Sequence, residues 1–87
     1  IKIIFVTGRP EEYRDQTEKW LKKHIPFQGY DLIMRPYKNY DRDVLVKKSI
    51  LKEIQKDFEI MKVFDDQKEL IRMWEEEGLD CVDCSLD

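Results

Sequence analysis

No apolar run in this sequence approaches the roughly eighteen residues needed to span a bilayer, and no signal-peptide pattern precedes the first apolar segment. Cysteine is scarce. Cys81 and Cys84 alone do not make a secreted disulfide scaffold. Their C-x-x-C spacing invites a redox or zinc reading, but geometry opposes both. Strand positions three apart point to opposite faces, and a thioredoxin-like pair belongs at a helix start. His24 is the only histidine, so the soft ligands for structural zinc are also lacking, and it reads better as a helix cap. A positive excess is missing as well: 16 basic against 19 acidic side chains leave a net charge of −3 and a pI near 5.2. That argues against wholesale wrapping of nucleic acid while leaving room for a local basic patch. With no repeat, linker or low-complexity tract, the expectation is one soluble, cytoplasmic domain over residues 1–87, with no membrane partner.

What is present supports a folded chain. Charged residues reach 40%, against a norm of about 25%, yet hydrophobic residues still make up 41%. A chain of 87 residues has room for one core and not for two. Ile1 to Val6 is a short apolar strand ending in the turn-rich Thr7-Gly8-Arg9-Pro10. Pro10, Glu11 and Glu12 suit a helix start, and Tyr13, Thr17, Trp20, Leu21 and His24 fall at helical spacing. Residues 31–34 read as a second strand and 35–42 as a polar loop. A second helix runs from about Asp43, as N-cap, to Phe58. A third strand over 60–64 ends in Asp65-Asp66, a third helix covers roughly 67–77 with Gly78 as its stop, and 79–84 forms a last strand. The order β-α-β-α-β-α-β predicts right-handed crossovers and a mostly parallel sheet in an α/β, Rossmann-like three-layer sandwich.

Parallel α/β sheets bind ligands beyond the carboxyl ends of their strands. Thr7, Gly8 and Arg9 follow the first strand, Arg35 the second, and Asp65 with Asp66 the third; Lys47 lies near the start of the second helix. Hydroxyl, guanidinium, ammonium and paired carboxylates converging on one edge suit a phosphate beside a divalent metal. Adjacent carboxylates repel unless a cation lies beside them, so Asp65-Asp66 is a half-site for Mg²⁺ or else a solvated strand end before the next helix. Thr7 donates to a phosphoryl oxygen with the Gly8 backbone beside it, or simply ends a strand. Lys47 neutralises phosphate or is an ordinary surface lysine beside Lys48; Asp43, one turn earlier, orients it or caps the helix. Arg9 offers bidentate phosphate recognition or a surface charge. Residues 35–48 hold five basic and two acidic side chains, locally +3 in a chain that is otherwise −6, with Tyr37 and Tyr40 interleaved. Such a segment either holds a phosphorylated nucleotide end by charge and stacking or is a polar loop whose tyrosines pack on neighbours.

Taken in order, Val6-Thr7-Gly8-Arg9, Tyr13-Arg14-x-x-Thr17-x-x-Trp20, Asp43-x-x-x-Lys47, Asp65-Asp66 and Met73-Trp74 resemble the haloacid-dehalogenase-like phosphatases. Within them the likeness is to the phosphatase domain of bacteriophage-type polynucleotide kinase/phosphatase. The resemblance implies that Thr7 is the second-motif hydroxyl, Lys47 the third-motif lysine, and Asp65 with Asp66 the fourth-motif acids that hold Mg²⁺. Arg9 and Asp43 match positions used around the substrate and the lysine. It further implies hydrolysis of 3′-phosphates on nucleic-acid ends through an aspartyl-phosphate.

One element of that pattern is missing. The first motif, Asp-x-Asp-x-Thr after a strand, supplies nucleophile and general acid/base in the family and does not occur here; Asp41-Arg42-Asp43 has the spacing but enters a helix. In the family that strand is central, between those matching residues 1–6 and 60–64. The segment lies upstream of Ile1 in cis, comes from another chain in trans, or is absent with the two strands closing the gap directly; the first is the expectation, and this chain alone is expected to be inactive. Two further readings stand beside the first: a phosphatase of the same fold acting on a free nucleotide or sugar phosphate, and a non-catalytic binding module.

Overall fold

The computed structural model describes residues 2–85. Contacts divide the chain after Ile50 into two compact units.

The first unit opens with β1 (Ile4–Pro10), a single 3₁₀ turn over Glu11–Tyr13, α1 (Arg14–His24) and β2 (Asp31–Arg35), and contains the start of α2 (Asp43–Gln55). β1 and β2 run parallel, in register from Ile4↔Asp31 to Thr7↔Met34, and then jump to Pro10↔Arg35. Gly8 and Arg9 are the surplus residues of that bulge, so the expected turn is instead an irregular extension of the strand. Pro10 closes it where no further ladder N–H is required. The strand thus begins and ends later than residues 1–6; Ile1 lies outside the described residues.

Arg14 fastens α1 to β2. Its Nε donates to the Glu11 carboxylate at 3.0 Å, Nη1 to Glu18 at 3.2 Å, and Nη2 to the Leu32 carbonyl at 3.1 Å. The Glu11 hydrogen bond raises the guanidinium pKa further above its ordinary value. Thr17 and Leu21 are the buried residues of α1. Trp20, expected on the same face, is 55% exposed and stacks on the His24 ring at 4.3 Å, because it falls beside the buried stripe rather than on it. His24 Nδ1 lies 2.9 Å from the Trp20 carbonyl oxygen, close to the capping role expected of it. Gly29 takes φ +86° on the way into β2, a conformation open to glycine.

In the second unit, β3 (Val63–Asp65) pairs parallel with β4 (Cys81–Asp83), and α3 (Lys68–Glu76) connects them. β3 is shorter than residues 60–64 and includes Asp65, because its three-residue partner limits the ladder. Leu70, Ile71, Met73 and Trp74 form the buried stripe of α3. Gly78 at φ +84° stops the helix as expected. α2 ends at Gln55 rather than near Phe58, where Lys56 and Asp57 donate to the carbonyls of Glu53 and Ile54 in tightened i→i+3 bonds.

The fold is a small α/β arrangement of short parallel strands. Among the described residues the strands form two separate two-stranded ladders, β1-β2 and β3-β4, rather than one four-stranded sheet. No described helix is long and apolar enough to cross a membrane.

Candidate active site

The carboxyl end of β1, the end of β2 and the first turn of α2 bring five of the expected residues together: Thr7, Gly8, Arg35, Asp43 and Lys47. The tightest link is steric. A Cβ placed on Gly8 would run into the Asp43 carboxylate and sit 3.1 Å from its Cγ. Gly8 is not in the left-handed region; its missing side chain is room for Asp43.

Asp43 does not stand outside the helix as an N-cap. It is the first helical residue of α2, and the Arg42 carbonyl accepts the Val46 N–H at 3.1 Å. Its carboxylate instead lies between two cations, with Oδ1 3.6 Å from Arg35 Nη2 and Oδ2 3.6 Å from Lys47 Nζ. Both distances exceed a hydrogen bond. Oδ1 is buried and accepts no hydrogen bond among the described residues, so charge alone compensates its desolvation.

Lys47 exposes only 9% of its surface. Lys48 beside it is exposed, whereas Lys47 shares the stripe of Val46, Ile50 and Leu51. Its Nζ is not a sealed atom, so water reaches it, and a lysine has three hydrogens to place. Asp43, beyond hydrogen-bonding range, takes none of them.

Arg35 is committed to the protein. Nε donates to the Gly8 carbonyl at 2.8 Å, and Nη1 to the carbonyls of Asn39 at 3.3 Å and Asp41 at 2.6 Å. The guanidinium, expected to meet substrate, here joins β1 to the loop after β2. Arg9 is exposed, with its guanidinium 5.9 Å from the Tyr13 ring centre. Thr7 Oγ1 accepts the Arg9 N–H at 3.2 Å, which leaves its own hydroxyl proton free to donate.

Asp65 and Asp66 belong to the second unit. Asp65 ends β3 and is clasped on both oxygens: Oδ1 accepts the Gln67 N–H at 3.0 Å, and Oδ2 accepts Trp74 Nε1–H at 2.9 Å. That Trp74 bond is a feature the sequence did not disclose. Asp66 is exposed and its carboxylate meets no described partner. As a donor set this is half of a site. One open carboxylate beside a second with lone pairs to spare fits Mg²⁺, which completes its shell with water and phosphate oxygen. Among the described residues no group of three carboxylate, histidine or cysteine ligands gathers. Cys81 and Cys84 are free thiols. Burial, followed by the charge of Asp65, pushes the Cys81 thiol up from its ordinary pKa.

The model of the polynucleotide kinase PNKP phosphatase domain matches residues 1–86. The chain belongs to this family of haloacid-dehalogenase-like phosphatases. A protein of Autographa californica nuclear polyhedrosis virus, named for bifunctional polynucleotide kinase/RNA ligase activity, is 31% identical over 75 residues. The match takes in 85% of this chain but 11% of that protein, so the chain spans about a tenth of its relative's length. No solved structure matches. Membership in the polynucleotide kinase phosphatase family agrees with the resemblance drawn from Thr7-Gly8-Arg9, Asp43-x-x-x-Lys47 and Asp65-Asp66.

Proposed function

We propose that residues 1–87 are part of a single Rossmann-like phosphatase domain that removes 3′-phosphates from nucleic-acid ends. The observation that carries the reading is the pairing of Lys47, whose side chain is 11% exposed, with Asp43 at 3.6 Å, in a chain of this family. A phosphoryl oxygen can accept from the solvent-accessible side of that ammonium. Thr7 donates its hydroxyl proton to one phosphoryl oxygen, and Arg9, exposed next to it, supplies a bidentate charge. Lys47 balances the phosphate charge, and Asp43 holds the ammonium in place. Arg35 keeps Gly8 and the loop after β2 in position. Asp65 and Asp66, in the second unit, would hold Mg²⁺, a cation that supplies charge neutralisation in phosphate-ester hydrolysis.

The attacking carboxylate, by family likeness an aspartate that becomes an aspartyl-phosphate, is not among these residues, and we assign it to a strand outside them. Phe64, at the centre of β3, is 66% exposed, and β3 pairs on one side only among the described residues. The unpaired edge suits an additional strand, and the exposed Phe64 suits a layer packed on that face.

The test is phosphate release by the full-length protein from a 3′-phosphorylated oligonucleotide and from a 3′-mononucleotide. Lys47→Met is expected to lower turnover of the oligonucleotide at least about 100-fold. Undiminished turnover refutes the reading. Equal use of the mononucleotide transfers it to a small-molecule phosphatase.

A further inference from the structure

The loop between Pro36 and Arg42 has no part in the chemistry above, yet it is firmly built. Arg35 Nη1 donates to the carbonyls of Asn39 and Asp41, the residues on either side of Tyr40. Asn39 Oδ1 accepts the Asp41 N–H at 2.9 Å, and the Asn39 N–H reaches the Pro36 carbonyl at 3.2 Å. Lys38 takes φ +59°, an uncommon choice for a residue with a side chain. The backbone around Tyr40 is therefore fixed, while its ring is 91% exposed and meets no other ring among the described residues. Tyr37 differs, since the Lys38 ammonium lies 5.9 Å from its ring centre. Of the two alternatives for this segment, the one in which the tyrosines pack on neighbours is not met at Tyr40.

Tyr40 lines a cleft of about 300 Å³ with Pro10, Pro36, the acids Glu12 and Asp41 and the bases Arg35 and Lys38. Acids and bases balance there, so a phosphate gains no net attraction, whereas a nucleobase carries both amino donors and ring acceptors and finds partners of both kinds. The guanidinium that clamps the carbonyls flanking Tyr40 also holds the Gly8 carbonyl at 2.8 Å, so the loop that carries the ring is tied to the Thr7-Gly8-Arg9 edge by one side chain.

We propose that Tyr40 is the stacking platform for the terminal nucleobase of the substrate, with the base over the cleft and its 3′-phosphate at Thr7 and Arg9. The identity of the ligand rests on the phosphatase reading above. The platform itself requires only a single-stranded end. Stacking on an aromatic ring tolerates any base and typically contributes about 5- to 150-fold in affinity.

The test is fluorescence anisotropy with the full-length protein and two 5′-labelled oligonucleotides, one ending in a normal nucleoside 3′-phosphate and one in an abasic 3′-phosphate. Tyr40→Ala is expected to weaken binding of the first about 5- to 150-fold and to leave the second unchanged, while Tyr40→Phe keeps both at wild-type level. Equal losses on the two ends, or none on either, overturn the platform. Because the readout is binding, base-dependent loss in a protein that releases no phosphate would refute the phosphatase reading and keep the platform. Normal hydrolysis with no base-dependent loss would do the reverse.

Discussion

Gly8→Ala isolates the contact on which the site's geometry depends. Gly8 is not at a left-handed φ, so alanine meets no backbone penalty there. The new methyl instead meets the Asp43 carboxylate at less than contact distance. The obstacle is the end of a side chain, so the substitution moves Asp43 rather than unfolding the protein, and overpacking of this kind costs about 1–3 kcal/mol. A displaced Asp43 loses its place 3.6 Å from both Arg35 and Lys47, leaving two cations without their shared anion. Function should therefore suffer more than stability. The decisive measurement is a double-mutant cycle by urea denaturation of the full-length protein. In an Asp43→Ala background the obstacle is gone, and Gly8→Ala should cost nothing or stabilise by about 0.4–1 kcal/mol through reduced unfolded-state entropy. The expected coupling is thus about 1–4 kcal/mol. Costs for Gly8→Ala that agree in the two backgrounds within about 0.5 kcal/mol would show that the glycine makes no room for the carboxylate.

Other expectations concern single groups. Trp74→Phe keeps most of a buried ring but removes the N–H that Asp65 Oδ2 accepts at 2.9 Å; a loss of about 1.5–3 kcal/mol in urea denaturation is expected for a hydrogen bond to a charged group, and an unchanged midpoint would mean the bond is idle. Arg35→Lys retains the charge but cannot serve the Gly8, Asn39 and Asp41 carbonyls together, so amide exchange across residues 36–42 should quicken, and unchanged protection would contradict the clamp. Cys81, its pKa raised by burial and by Asp65, carries less thiolate at a given pH than a free cysteine. Its alkylation by iodoacetamide should be slower, with the rate profile displaced to higher pH; a rate equal to that of N-acetylcysteine would show the thiol to be ordinary.

How far the site could be read in advance depends on the range of the interactions that build it. The order of strands and helices, the stop at Gly78 and the polar residues at strand ends follow from local pattern, because turn chemistry and apolar spacing act over a few residues. Lys47 was recoverable too: residues 46, 47, 50 and 51 form one helical stripe, and a lysine within it is a buried lysine. The Gly8–Asp43 contact and the four commitments of Arg35 join residues far apart in sequence and have no local signature. Neither does the bond from Trp74 to Asp65, nine residues earlier. These long-range links change the assignment of labour. Asp65 and Arg35 look equivalent to Asp66 and Arg9 in the sequence, as charges at strand ends, yet the first pair is bonded to protein and the second faces outward. A guanidinium spent on backbone carbonyls has little left for a phosphate, and a carboxylate that already accepts an indole N–H has fewer lone pairs for a cation. The proposed function therefore gives Arg9 the substrate and Asp66 the larger share of the cation, with Arg35 and Asp65 holding the surrounding chain.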